Sequence, residues 1–161
     1  MATTMETSAQ RIAPFLWFNG NVEEALKFYT SVFKDSRIGN VSHLDTGGHG
    51  KITVANFYLN GVEFMILDGG PQFTFNESIS FYVKCETQDE VDYYWEELSK
   101  GGAKSQCGWL KDKFGVSWQI VPDAMVKLMY DSDPEKSKRV MNAMMKMSKM
   151  IIADLQKAYE G

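Results

Sequence analysis

The chain of 161 residues predicts an α+β fold built from two βαβββ modules with helices at the C-terminus. Three observations predict it. Apolar residues at helical spacing recur at one common offset of 66 positions, setting Ala25 against Val91, Tyr29 against Trp95 and Val32 against Leu98. Each of these helices is preceded by one run of strand composition and followed by three, with glycine-bearing turns between them. After Pro122 the periodicity changes to that of a methionine-rich helix.

In order, RIAPFLWF from Arg11 is a strand by its β-branched and aromatic content, and Asn19-Gly20 turns the chain. Asn21 with Glu24 three residues on predicts an N-cap, and Val22, Ala25, Leu26, Tyr29, Val32 and Phe33 give a helix ending near Lys34. Ser36 to Leu44 is a strand, Asp45 to Gly50 a glycine-rich connection, and Lys51 to Leu59 a strand running into the Asn60-Gly61 hairpin signal, with Val62 to Leu67 pairing back. Gly69, Gly70 and Pro71 punctuate the break between modules. Ser78 to Cys85 (SISFYVKC) then opens the second module as a strand, and Thr87 with Glu90 forms a capping box for a helix carrying Val91, Tyr94, Trp95 and Leu98. Gly101-Gly102 stops that helix, Ala103 to Gln106 is a short strand, and Trp109 to Asp112 and Val116 to Val121 form a hairpin around Phe114-Gly115. Asp133, Pro134 and Glu135 start a helix whose apolar stripe is Val140, Met144, Met147, Ile151 and Leu155, with Met141, Met145 and Ile152 beside it. The expected organisation is a flexible tail over 1–10 and a single domain over 11–157. Module one takes 11–70, module two 76–122, and a helical tail 123–161.

Composition narrows the function classes. Hydrophobic residues are 44% and charged residues 24%, the balance of a globular protein. A net charge of -4 without a basic patch argues against nucleic acid as a partner. Apolar runs such as Phe64 to Leu67 are far shorter than the roughly 20 residues needed to span a bilayer, so no membrane is expected either. Met1 to Gln10 has no basic segment leading into an apolar one, and Cys85 and Cys107 have no metal-knuckle spacing; a cytoplasmic chain with two free, buried thiols is expected.

The segments PFLWFNGNVEEALKFY, FYLNGVEFMILDGG, SISFYVKC and above all GWLKDKFGVSWQIVPD resemble the glyoxalase/bleomycin-resistance/dioxygenase superfamily, the vicinal oxygen chelate proteins. Within it the chain looks like the PhnB-like branch, often labelled 3-demethylubiquinone-9 3-methyltransferase, over residues 11 to about 157. The resemblance implies that each module curls its sheet into a half-barrel and that paired modules enclose a cavity, often with a divalent metal held by two His and two Glu. It also implies a homodimer. Carried over one at a time, the ligand positions fall on Pro14, at or next to Met65, on Ser78 and on Gln119. Proline and thioether sulfur cannot replace imidazole and carboxylate, and serine and glutamine are weak neutral donors. No metal and no other cofactor is therefore expected.

Strand alternation selects candidate residues for the cavity. Ile79, Phe81 and Val83 form an apolar face, against Ser78, Ser80, Tyr82 and Lys84 on a wetter one; Val116, Trp118 and Ile120 likewise oppose Ser117, Gln119 and Val121. The same parity assigns Phe15 and Trp17 to the helix side and Leu16 and Phe18 to the cavity. The ligand-binding candidates are thus Leu16, Phe18, Asn56, Met65, Ser78, Ser80, Tyr82 and Gln119, with no catalytic residue identified. His43 and His49 bracket the glycine-rich connection as exposed side chains, and Asp68, Lys111 and Asp112 sit where charges normally face water. No glycine-rich loop joins a strand to a helix in a parallel α/β pattern, so the methyltransferase label has no S-adenosylmethionine site behind it. The expected function is binding of a small organic molecule at a degraded metal site. The alternative is an enzyme of isomerase, lyase or dioxygenase type.

Overall fold

In the computed structural model, residues 10–161 are described. They divide into two compact units, one ending at Thr74 and the other running from Phe75 to Gly161. The tail expected over 1–10 lies outside the described residues except for Gln10, which is tied down. Its Nε2 donates to the carbonyls of Ile12 (2.8 Å) and Glu63 (3.1 Å), and its Oε1 accepts from the Glu63 N–H (2.9 Å).

The first unit comprises β1 (Phe15–Phe18), α1 (Val22–Val32), β2 (Ser36–Asp45), β3 (Lys51–Leu59) and β4 (Val62–Asp68), in sheet order β1-β4-β3-β2. β1 runs parallel to β4 and the other pairs are antiparallel. A helical turn, Gly47–His49, lies in the glycine-rich connection between β2 and β3. The helix starts differently from the sequence expectation. Asn21 adopts a left-handed conformation (φ 60°) and makes no side-chain cap, which leaves the first-turn acids Glu23 and Glu24 to face the helix dipole. β2 carries a bulge between Ile38 and Val41, locked by Asn56, whose Oδ1 accepts from the Asn40 N–H at 2.7 Å. A Cβ at position 39 would stand 2.4 Å from that same oxygen and 3.0 Å from the Asn56 carbonyl oxygen, so a larger residue there would push the Asn56 side chain off the bulge.

The core of this unit lies between α1 and one face of the sheet. Register places Leu16 beside Ile66 and Ile66 beside Ala55, and Phe64 beside Phe57. Phe57 stacks on Tyr29 of α1 with ring centroids 5.8 Å apart, and on Phe64 at 5.3 Å. Leu16, Phe18, Ala25, Leu26, Tyr29, Phe57, Phe64 and Ile66 are all buried. Each large side chain so buried contributes about 1.5–3 kcal/mol. This corrects the parity read for the first strand: Leu16 and Phe18 are on the helix face, whereas Phe15 and Trp17 are on the open one. Both residues of each pair are apolar, so hydrophobicity alone could not choose the face.

The second unit repeats the pattern with β5 (Phe81–Cys85), α2 (Gln88–Ser99), β6 (Ala103–Lys104), β7 (Trp109–Lys111) and β8 (Ser117–Pro122), in order β5-β8-β7-β6, again with one parallel pair, β5 with β8. Thr87 caps α2 as expected, its hydroxyl accepting from the Glu90 N–H at 3.2 Å, while Glu90 reaches back to the N–H of Glu86 at 2.6 Å. The core joins Val83, Cys85, Leu110, Trp118 and Ile120 to Val91, Trp95 and Leu98 of α2. Ile79, expected on that apolar face, is 72% exposed. The strand begins only at Phe81, because the Asn76 side chain captures the Ser78 N–H (2.9 Å) and hydroxyl (2.5 Å) in a local turn.

Three helices complete this unit, α3 (Asp123–Met129), α4 (Pro134–Met144) and α5 (Ile152–Glu160). Asp133 caps α4, its carboxylate accepting from the N–H groups of Glu135 and Lys136, with proline at the first position. The single stripe expected from Val140 to Leu155 is instead broken after Met144. Carbonyls of the intervening segment are diverted to Cys107 and Gly108, whose N–H groups donate to Met147 (2.8 Å) and Ser148 (2.8 Å). Val140, Met150 and Leu155 are fully buried, while Met141 and Met145 stay exposed. No helix among the described residues is long and apolar enough to cross a membrane.

Candidate binding site

Each sheet buries one face against its helix and leaves the other open. In the second unit, register fixes which residues share the open face: Tyr82, Gln119 and Trp109 form one row across β5, β8 and β7, and Ser117 and Lys111 with Ala103 form the next. A groove of about 600 Å³ opens here, lined by Ser105, Gln106, Trp109, Lys111 and Ser117 among others, with Glu77 at its edge. Its walls are mostly apolar, with a few polar groups converging, the usual make-up of a small-molecule site.

The charges around the groove are already matched. Lys111 Nζ pairs with Glu77 Oε1 at 2.5 Å, which holds the Glu77 carboxyl below its ordinary range. Lys104 also lines the groove, and its ammonium pairs with Glu96 at 2.8 Å and approaches the Trp95 ring at 6.0 Å. Further along the row, Gln119 Nε2 donates to Ser80 Oγ at 2.8 Å. The Tyr82 hydroxyl titrates above its ordinary value, chiefly because partial burial disfavours the phenolate, then because of the Asp123 carboxylate nearby.

Three of the residues selected from sequence therefore meet in this unit: Ser80, Tyr82 and Gln119. Ser78 does not join them, since Asn76 holds it in an exposed turn. In the first unit, Asn56 and Met65 share the open face, but every polar group of Asn56 is used: Nδ2 donates to Glu63 (2.8 Å) and to Tyr58 (3.2 Å), and Oδ1 holds the bulge. Leu16 and Phe18 are core residues. His43 lies exposed on β2 with Nδ1 3.1 Å from the Thr53 hydroxyl, and the side chain of His49 is outside the described residues. Asp112, expected to face water, is instead buried, its carboxylate accepting from the Trp118 indole (2.9 Å) and from the N–H groups of Phe114 (2.9 Å) and Val116 (3.0 Å). Trp109 and Ser117 were passed over as site residues; the signal that would have found them is that Ser117 alternates with Gln119 along one strand and Trp109 faces Gln119 from the next.

The metal positions implied by the resemblance can be tested against these groups. The Pro14 carbonyl accepts from the Met65 N–H at 2.8 Å, so that pair offers no free hard donor. The offset of 66 that relates β1 to β5 makes Ser80, not Ser78, the counterpart of Pro14. The Ser80 hydroxyl is engaged as acceptor by Gln119 Nε2, and both are neutral groups. No cluster of three or more His, Cys, Asp or Glu that could hold a metal occurs among the described residues. This donor set does not fit a tightly held divalent ion.

Comparison with known proteins places this architecture. The family model described as 3-demethylubiquinone-9 3-methyltransferase matches residues 10–121. A solved protein from Bacillus cereus, described as a 3-demethylubiquinone-9 3-methyltransferase, PhnB protein, is 41% identical, with 70% of this chain and 99% of that chain covered and a TM-score of 0.64. A protein from Pseudomonas aeruginosa shares the fold at 19% identity, covering 71% and 98% of the two chains with a TM-score of 0.61. The fosfomycin resistance protein FosX from Listeria monocytogenes, solved with Mn(II) and sulfate, shares it at 17% identity, covering 68% and 88% with a TM-score of 0.50. No protein of curated function matches. The chain belongs to the family described as 3-demethylubiquinone-9 3-methyltransferase, with the PhnB-like protein of Bacillus cereus as a relative.

Proposed function

We infer that this protein binds a small organic molecule on the open face of its second sheet without a metal ion. The observation that carries the reading is the groove beside Trp109: about 600 Å³, mostly apolar, with its neighbouring charges already paired. A site of that size suits a compact ring-bearing molecule. The donor set at the superfamily's metal positions supports binding over the isomerase, lyase or dioxygenase alternative, since those chemistries use the ion as Lewis acid. The methyltransferase description finds no support in the architecture. Each sheet has one parallel pair and is otherwise antiparallel, so neither supplies the doubly wound parallel sheet with a glycine-rich loop that admits a nucleotide-like methyl donor. The same reading includes a homodimer in the cytoplasm; the exposed Met141 of α4 and Met145 just after it support an additional interface.

A thermal-shift panel of small organic molecules, run with chelator and again with Mn²⁺ or Zn²⁺, tests this. Binding to the folded state raises Tm by mass action. The expected result is a set of compounds that raise Tm equally in chelator and with metal, and whose effect disappears in Ser105→Trp, which fills the groove. Stabilisation that requires the divalent ion would move the enzyme reading to first place.

A further inference from the structure

One group in the groove lacks what a folded protein normally supplies. Ser117 is 1% exposed, and its Oγ is the buried side-chain oxygen without a hydrogen-bond partner among the described residues. A buried hydroxyl that donates to nothing is destabilising, and natural proteins seldom leave one unless something else completes it. Helical serines usually return the proton to their own backbone, as Ser99 does to Trp95 at 2.6 Å. A strand residue whose own carbonyl points along the sheet has no such recourse. Ser117 lies on the open face, lines the groove, and is directly opposite Lys111 on β7.

The remaining chemistry restricts what could complete it. The missing partner of a hydroxyl proton is an acceptor. A charged acceptor is disfavoured, because Lys111 is engaged by Glu77 at 2.5 Å and Lys104 by Glu96 at 2.8 Å, leaving neither ammonium to neutralise an anion. A carboxylate or phosphonate entering the groove would meet the Glu77 carboxylate at its edge. The half-buried indole of Trp109, one pleat along on the same face, offers a flat wall for a ring. We propose that the groove takes a neutral aromatic carbonyl compound, its ring against Trp109 and its carbonyl oxygen accepting the hydrogen bond from Ser117. The proposal rests on the binding reading above and names its ligand class.

Three probes of one size separate the contributions: 2-acetylnaphthalene, 2-ethylnaphthalene, which keeps the ring and loses the acceptor, and 2-naphthoate, which adds a charge. Isothermal titration in chelator is expected to give the ketone an affinity about tenfold above that of the ethyl compound, with the naphthoate weakest, and Ser117→Ala is expected to erase the difference between the first two. Equal binding of ketone and ethyl compound to the native chain, abolished in both by Ser105→Trp, would overturn the hydrogen bond to Ser117 while leaving the groove as a binding site. Tightest binding by the naphthoate would overturn the neutral class. Absence of binding sensitive to Ser105→Trp for all three probes would overturn the ligand class, and the thermal-shift panel separately decides whether the groove binds anything else.

Discussion

Two buried residues outside the groove show how strongly context changes the meaning of a side chain. Cys85 is fully buried on the helix face of β5, and burial, then the Glu90 and Asp123 carboxylates, push its thiol up to about 12. In the unfolded chain the thiol ionises near its ordinary value of 9.0, so between that pH and about 12 the unfolded state gains a charge that the folded state cannot accommodate. Stability therefore falls as pH rises through this window. Urea melts from pH 8 to 11 should show a steeper loss for the native chain than for Cys85→Ala; parallel losses would contradict the assignment. Cys107 is half-buried and should be alkylated first by iodoacetamide. Asp112 is the second case. Its carboxylate closes the β7–β8 turn with three hydrogen bonds, so Asp112→Ala strands the Trp118 indole and two backbone donors at a cost of about 3 kcal/mol or more. A denaturant midpoint within error of the native one would refute that role.

The two equivalent helices of the repeat are started by different means, and substitution should separate them. Asn21 occupies the left-handed region without capping α1, so Asn21→Gly should be neutral or slightly stabilising and Asn21→Ala should cost about 1 kcal/mol. Thr87 does cap α2, and Thr87→Ala should cost about 1 kcal/mol. Equal losses for Asn21→Gly and Thr87→Ala in chemical denaturation would contradict the distinction. At α5 the cap comes from another helix: Gln88 on α2 accepts from the Ile152 N–H at 2.8 Å and donates to the Met150 carbonyl at 3.0 Å. Gln88→Ala should lower stability by about 1–2 kcal/mol and speed hydrogen exchange at the start of α5. Sequence made the existence and order of the strands and of the paired helices legible, because each carries local periodicity and turn chemistry. It did not reveal the Gln88 cap or the break after Met144, since both depend on groups more than 30 positions away in the chain.

At the scale of the whole molecule, the repeat and the quoted strand motifs identified the family, and alternation along β8 put Gln119 and Ser117 on the open face. The groove itself was less legible. Where strand residues alternate apolar with polar, as in Val83 and Lys84, the face can be read; where both neighbours are apolar, as in Leu16 and Trp17, only the packing of α1 decides. Ser78 failed for a local reason, the Asn76 turn, and Trp109 was missed because a three-residue strand gives almost no period. The central claim is that the second unit binds a small organic molecule without metal in the groove beside Trp109. Hydrogen exchange measured in chelator, with and without the panel compound that raises Tm most, tests it directly. The account predicts slowed exchange across residues 103–111 and along β8; slowing confined to other segments, or appearing only when a divalent ion is added, would contradict it.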